Sequence, residues 1–239
     1  MYNIIILLMV ILLKRIVLVV LSLIIVVTSC SFADHIHNKA NNVDSKEISS
    51  KYTVVIDAGH GGKDAGTIGV DSVKEKDINL SIVKSLYDFL KVSGISSVMI
   101  RNDDSEFYAP NEKRDKSDLY NRLDFVNSTE NAVLISIHQN HFDSESEWGT
   151  QIWYSANTPE SKEIADSILN NVKDLIQPDN KRENKQSDNS YYLLYKASVP
   201  SVMIECGFMS NVRENNLLQQ EEYQNDMAYC IMSGICNIV

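Results

Sequence analysis

The stretch Val54–Gly66, VVIDAGHGGKDAG, begins as a run of β-branched residues and ends with one histidine set among four glycines. A short apolar run bounded by glycine reads as a buried strand, here Thr53–Ala58. Downstream, Asp77–Ser93 carries Ile78, Ile82, Val83, Leu86 and Leu90 at helical spacing. Gly94 stands where a helix ends on a left-handed residue. Strand, glycine turn and helix form one βα unit.

The same alternation continues. Ser97–Arg101 reads as a strand, Asn102–Lys116 as a polar loop and Asp118–Asn127 as a helix. Ala132–Ile137 has the strongest strand signal, followed by a strand at Thr150–Tyr154 and a helix over Pro159–Ile176. Gln177–Ser190 is polar and reads as a mobile loop; Tyr191–Tyr195 and Ser201–Cys206 read as strands, and Tyr223–Ile238 as the last helix. Strands alternating with helices predict an α/β fold, a single layered domain with a mostly parallel central sheet flanked by helices. In such sheets, sites gather at the carboxyl ends of strands. His60, His138 and Glu205 all fall there.

The chain has 239 residues, 44% of them hydrophobic and 23% charged, enough for one domain with a substantial core. Residues 1–33 read as an export signal or membrane anchor: Lys14-Arg15 precede the apolar run Ile16–Val27. Val27-Thr28-Ser29-Cys30 resembles a lipoprotein processing site, and Ser31-Phe32-Ala33 suits an ordinary signal peptidase. Cleaved, anchored and lipidated at Cys30 stay open, and all three put the body of the protein outside the cytoplasm. Residues 34–51 are polar and aperiodic, a tether in which His35 and His37 read as solvated. Residues 52–239 form the expected catalytic domain.

Dropping residues 1–33 removes Lys14 and Arg15 and no acid, taking the formal charge from −10 to −12. That surface repels nucleic acid and anionic lipid. The cysteines at 30, 206, 230 and 236 do not make a disulfide framework; Cys230 and Cys236 are six apart in an expected helix, where side chains do not meet.

The glycines raise the question of phosphate binding. A P-loop needs Ser or Thr after Gly62-Lys63, where Asp64 stands, and the dinucleotide fingerprint needs glycine at 64. Both fail. His60 and His138 end strands, which by itself is compatible with core or surface. Glu75 lies just before a helix, where any acid is favourable. Glu205 interrupts the apolar strand SVMIECGF; burying a carboxylate there is costly unless it is paired or used. Two imidazoles and one carboxylate are nonetheless the ligand set of several catalytic zinc sites, and a second carboxylate supplies a general base.

VVIDAGHGGKDAG, EKDINL, RNDD, LYNRLDFVN, LISIHQN and SVMIECGFMSN occur in the order of the signature blocks of the zinc-dependent N-acetylmuramoyl-L-alanine amidases, the amidase-3 family. The chain resembles that family from about Tyr52 onward. The resemblance implies Zn²⁺ held by His60, Glu75 and His138, and Glu205 as the catalytic carboxylate. It implies that Asn140 positions substrate. Arg122 matches an arginine in the helix before the histidine strand, either a substrate contact or a structural ion pair. The substrate implied is peptidoglycan, cut between N-acetylmuramic acid and the L-alanine of the stem peptide. Glu205 would take a proton from the attacking water and return it to the departing nitrogen.

Three positions depart from the family pattern. His141 stands where a small residue is usual and offers an extra or replacement ligand. Lys196 stands where arginine is common, weakening bidentate recognition. Cys206 invites a cysteine-hydrolase reading, but strand alternation turns it away from Glu205. No wall-binding repeat accompanies the blocks, so the resemblance is to the short enzymes acting on spore cortex, where stem-peptide removal precedes muramic-δ-lactam formation. Localisation would then fall to the membrane tether or to an activating or localising protein. The rival readings are a zinc carboxypeptidase-like peptide hydrolase and a zinc-free wall-binding relic.

Overall fold

The computed structural model describes residues 52–107 and 118–238. The expected export signal and tether, with Cys30, His35 and His37, lie outside the described residues, as does part of the polar loop over 102–116. Six strands are present: β1 (Thr53–Ala58), β2 (Ser97–Met99), β3 (Ala132–Asn140), β4 (Gln151–Tyr154), β5 (Lys185–Gln186) and β6 (Ser201–Phe208). Six described helices accompany them: α1 (Glu75–Val92), α2 (Asp118–Ser128), α3 (Glu160–Leu175), α4 (Tyr192–Lys196), α5 (Val212–Leu218) and α6 (Glu221–Cys236).

The strands form one sheet in the order β2-β1-β3-β6-β4-β5. The β1, β2, β3 and β6 pairings are parallel, while β4 runs antiparallel to β6 and carries β5 parallel to itself. The expected α/β layer with a mostly parallel sheet is what the chain adopts.

Alternation divides each strand between two apolar layers. Val54, Ile56 and Ala58 of β1, Val133, Ile135 and Ile137 of β3, and Val202, Ile204 and Cys206 of β6 share the larger core. α1, α3 and α6 cover that face. Ile82, Leu86 and Leu90 of α1 are fully buried, each worth roughly 1.5–3 kcal/mol relative to exposure. Gly94 ends the helical run at φ +73°, as the sequence predicts. The opposite face is covered by a smaller cluster in which Val55 and Leu134 meet Leu123, Val126 and Leu193 of α2 and α4. Polar residues of the strands point to that second face. Of the expected site residues, His138 and Glu205 lie on it.

Two sequence expectations need correction, and one helix has no counterpart in them. Tyr191–Tyr195 is not a strand: Tyr192–Lys196 is a helix, with Tyr195 N–H donating to the Tyr191 carbonyl at 2.8 Å. β4 already has β6 and β5 as its neighbours, so no paired edge is left beside it for another strand. Leu193 and Ala197, four apart, both pack into the smaller core, which is helical spacing. Gln177–Ser190 is anchored as well as polar. Gln177 Oε1 accepts from Thr150 N, Asn180 Nδ2 donates to Thr150 O, and Lys185–Gln186 pairs with Trp153–Tyr154. The stretch after β6 holds α5, which the sequence reading passed over; its N-cap, Asn211, accepts from Glu214 N at 3.1 Å.

Candidate metal centre

β1 delivers the chain to Gly59 at the carboxyl end of the sheet, and the next three residues turn sharply. His60, Gly61 and Gly62 all take positive φ, at 63°, 136° and 56°. A non-glycine residue held there costs about 1–3 kcal/mol, so the surroundings must stabilise it. Gly59 has a different reason to be glycine: a Cβ there would lie 2.2 Å from Cε1 of His138. The β1 turn thus brings two imidazoles together. Their ring centroids are 4.9 Å apart, edge to face.

Glu75, in the first turn of α1, lies between them and is almost fully buried. Its Oε1 accepts from His138 Nδ1 at 3.0 Å, from Gln139 N at 3.0 Å and from Asn79 Nδ2 at 3.2 Å. Its Oε2 accepts from Thr67 N at 2.9 Å and lies 3.2 Å from His60 Nε2. Burial pushes the Glu75 carboxyl up, but the two histidines outweigh it and hold the group far below the usual carboxylate range. Burial likewise pulls His60 down; Glu75 and then Asp64 prevail and raise it to about 9. Asp64 Oδ2 accepts from His60 Nδ1 at 2.7 Å. That bond presents Nε2 toward Glu75, the arrangement in which an outer carboxylate fixes a metal-binding imidazole.

Among the described residues, His60, Glu75 and His138 are the group able to hold a metal ion, with one ligand atom from each within 4.8 Å of the others. The donor set fits zinc, and three protein ligands leave a fourth position for water. His141 is not part of the cluster. It is exposed, and its backbone N–H donates to Asn140 Oδ1 at 2.8 Å.

Glu205 of β6 stands opposite His138 of β3 in the parallel ladder. Its Oε2 is buried and, among the described residues, accepts no hydrogen bond. Burial raises its carboxyl to about 7; Glu75 adds to that, and the two histidines oppose it. A carboxylate poised near neutrality is suited to taking and returning a proton. Cys206, next in the strand, points into the larger core, fully buried, and burial pushes its thiol far above the usual range. No nucleophile is available there. Cys206, Cys230 and Cys236 are all free thiols.

Arg122 is enclosed by protein acceptors. It is 3% exposed. Nη1 donates to Asp57 Oδ1 at 2.6 Å and to the Ala58 carbonyl at 2.8 Å. Nη2 donates to the His60 carbonyl at 2.6 Å and to Asp118 Oδ2 at 2.7 Å. Of the two alternatives for Arg122, the geometry favours the structural ion pair. Asn140 lies half-buried at the end of β3, and its backbone carbonyl accepts from Met209 N at 2.8 Å. Lys196 is exposed at the end of α4, with Nζ 5.1 Å from the Tyr195 ring centroid.

Two residues beside the site escaped the sequence reading. Asp64 had a visible signal, four residues after His60 in the same glycine turn. Tyr191 had none, because its segment reads as a strand. Its ring stacks on Trp153 at 4.5 Å, and burial with the charge of Glu205 raises its phenol.

A mostly parallel sheet with a His–Glu–His cluster at its carboxyl edge and a proton-avid carboxylate one strand away suits a single-metal hydrolase. Comparison with known proteins narrows the class. The family model described as N-acetylmuramoyl-L-alanine amidase matches residues 54–237, and the chain belongs to that family. It is 30% identical over 186 residues to the germination-specific N-acetylmuramoyl-L-alanine amidase of Bacillus subtilis, spanning 76% of this chain and 77% of that protein. The CwlD amidase from Clostridioides difficile, solved in complex with the GerS lipoprotein, superposes with a TM-score of 0.72 at 36% identity, covering 78% of this chain and 97% of that one. The amidase AmiC2 of Nostoc punctiforme gives 0.68 at 30% identity, covering 79% and 97%.

Proposed function

We propose that this chain is a peptidoglycan hydrolase that cleaves the amide between the lactyl group of N-acetylmuramic acid and the L-alanine of the stem peptide, outside the cytoplasm. The observation that carries the reading is the pairing of His138 with Glu205, one expected ligand and one expected base on adjacent strands. His60, Glu75 and His138 would hold the zinc, and when bound it supplies a water of pKa about 7 and a Lewis acid for the carbonyl.

The protein's own residues do the rest. Asp64 keeps the Nδ1 proton of His60 engaged, so Nε2 stays turned to the metal position. Glu75 is held by Thr67 N, Gln139 N and Asn79, so its carboxylate cannot swing away. Glu205 takes the proton of the attacking water on its unpartnered Oε2 and delivers it to the departing alanine nitrogen. Asn140, at the end of β3, would help hold substrate.

The likeness to a germination-specific amidase and to CwlD supports action on spore cortex. The GerS complex of that relative supports a protein partner here too. No described helix is long and apolar enough to cross a membrane. The test is mass spectrometry of peptidoglycan digested by the full-length protein. Free stem peptides with an L-alanine amino terminus, beside glycan bearing free lactyl groups, support the amidase. Cleavage of a peptide lacking muramic acid would instead favour the carboxypeptidase-like alternative.

A further inference from the structure

The turn that carries His60 is gripped by buried cations. Arg101 Nε donates to the Ala58 carbonyl at 2.8 Å, and its Nη2 to the carbonyls of Gly59 at 3.0 Å and Lys76 at 2.9 Å. Arg122 takes the Ala58 and His60 carbonyls. Lys76, 5% exposed, donates from Nζ to the Gly62 carbonyl at 2.8 Å and to Asp104 Oδ2 at 2.7 Å. The other oxygen of Asp104 accepts from Gly62 N at 2.9 Å. Four carbonyls of one turn therefore each meet a cationic donor.

A buried ammonium costs several kcal/mol unless it is fully paired, so Lys76 is not placed there for want of an alternative. Its position in the chain matters more. Lys76 follows Glu75, and its ammonium holds the far end of the turn that presents His60. One side chain thus connects the two halves of the His60–Glu75 contact, and Asp104 closes the loop by bonding both Lys76 and Gly62. We propose that Lys76 and Asp104 act as a positioning latch, fixing the His60 turn against α1 and so setting the affinity of the centre for its metal. The proposal rests on the zinc reading above and extends it to residues that touch neither metal nor substrate.

Asp104 is the practical point of attack, because its side chain is 52% exposed and can be changed without opening the core. The full-length protein would be compared as wild type, Asp104→Ala and Asp104→Asn. Asp166→Ala, which breaks the exposed pair with Lys162, serves as control. The readouts are zinc affinity by chelator competition, the visible spectrum of the Co²⁺-substituted protein, and the melting curve of the metal-free protein. Asp104→Ala should weaken zinc about 10-fold, the low end of the loss when a group bonded directly to a ligand is removed, since Asp104 acts through Lys76 and Gly62, and shift the cobalt bands while the metal-free protein stays folded. Asp104→Asn, which keeps an oxygen for Gly62 N–H, should fall between. The latch is overturned if Asp104→Ala binds zinc within about twofold of wild type with an unchanged cobalt spectrum, or if Asp166→Ala loses as much affinity. Should Asp104→Ala not fold, Asp104→Asn decides by the same comparison. A wild-type protein that takes up neither ion would sink the metal centre itself, which is a different result.

Discussion

His138 and Glu205 face each other across the parallel β3–β6 pair, in the last register before the ladder shifts between His138 and Asn140. Their neighbours Ile137 and Ile204 form the preceding pair and point into the larger core. Alternation therefore sends both His138 and Glu205 to the opposite face, on strands about 4.8 Å apart. Of the four expected site residues, His138 and Glu205 are therefore held by the sheet, so the spacing of that pair is set by backbone hydrogen bonding, while His60 comes from the turn after β1 and Glu75 from α1.

Replacing Glu205 by Gln keeps the shape and removes the base. The variant should fold and hold zinc as wild type does, while release of stem peptides falls about 10²–10⁴-fold. Loss of zinc would instead make Glu205 a ligand. Near-normal turnover would remove it from the mechanism.

The two strand-end histidines and His141 should separate cleanly. His60→Ala and His138→Ala should abolish stoichiometric zinc binding, measured by elemental analysis after dialysis. His141→Ala should retain it, because that side chain is exposed and outside the cluster. The opposite pattern would reassign the centre. Stripping zinc with a chelator should abolish amidase activity, and adding zinc back should restore it.

Arg122 should report on stability before it reports on substrate. Arg122→Met leaves Asp57 buried without its partner, a change that costs about 3–5 kcal/mol for a buried pair. Burial pushes the Asp57 carboxyl up; Arg122 leads the groups that outweigh it, with His138 and Ser136 adding, so the folded value lies below the ordinary one. A depressed folded value means stability present above the unfolded pKa and lost as pH falls through the folded one. The gap in urea midpoint between wild type and Arg122→Met should therefore be wide at neutral pH and narrow below about pH 4. A variant as stable as wild type at pH 7 with a raised KM would return Arg122 to the substrate site.

Gly66 tests how tightly the turn is packed on the centre. It has φ +65°, and a Cβ would lie 2.6 Å from Glu75 Oε2 and 2.7 Å from His60 Cδ2. Gly66→Ala should displace both side chains and lower zinc affinity. Gly94→Ala is the matched comparison: φ is +73° and a Cβ meets nothing within 4 Å. It should cost about 1 kcal/mol of stability and leave zinc binding unchanged. Equal zinc affinity in the two variants would show that Gly66 serves the backbone alone.

Much was legible from residue order. The β-branched runs of β1, β3 and β6 and the apolar period of α1 are strong local signals, because burial on one or both faces demands them. The glycines around His60 also spoke locally: left-handed backbone and close ring approach tolerate little else. The signature blocks pointed to the family, and the family to its ligands.

Tertiary structure decided what depends on partners distant in sequence. Tyr192–Lys196 is short, aromatic and apolar, equally fit for strand or helix, and is a helix whose Leu193 and Ala197 pack together into the smaller core. Lys185–Gln186 is a strand only because β4 offers it an edge. Arg122 has two readings in sequence, and the structure adds Asp57, Asp118 and two carbonyls around it, which favours the ion pair. His60, Glu75, His138 and Glu205 span much of the chain, and nothing in their spacing brings them together. Local sequence determines which conformations each segment favours, whereas convergence of the site requires the free energy of burying both faces of one sheet to select a single register among them.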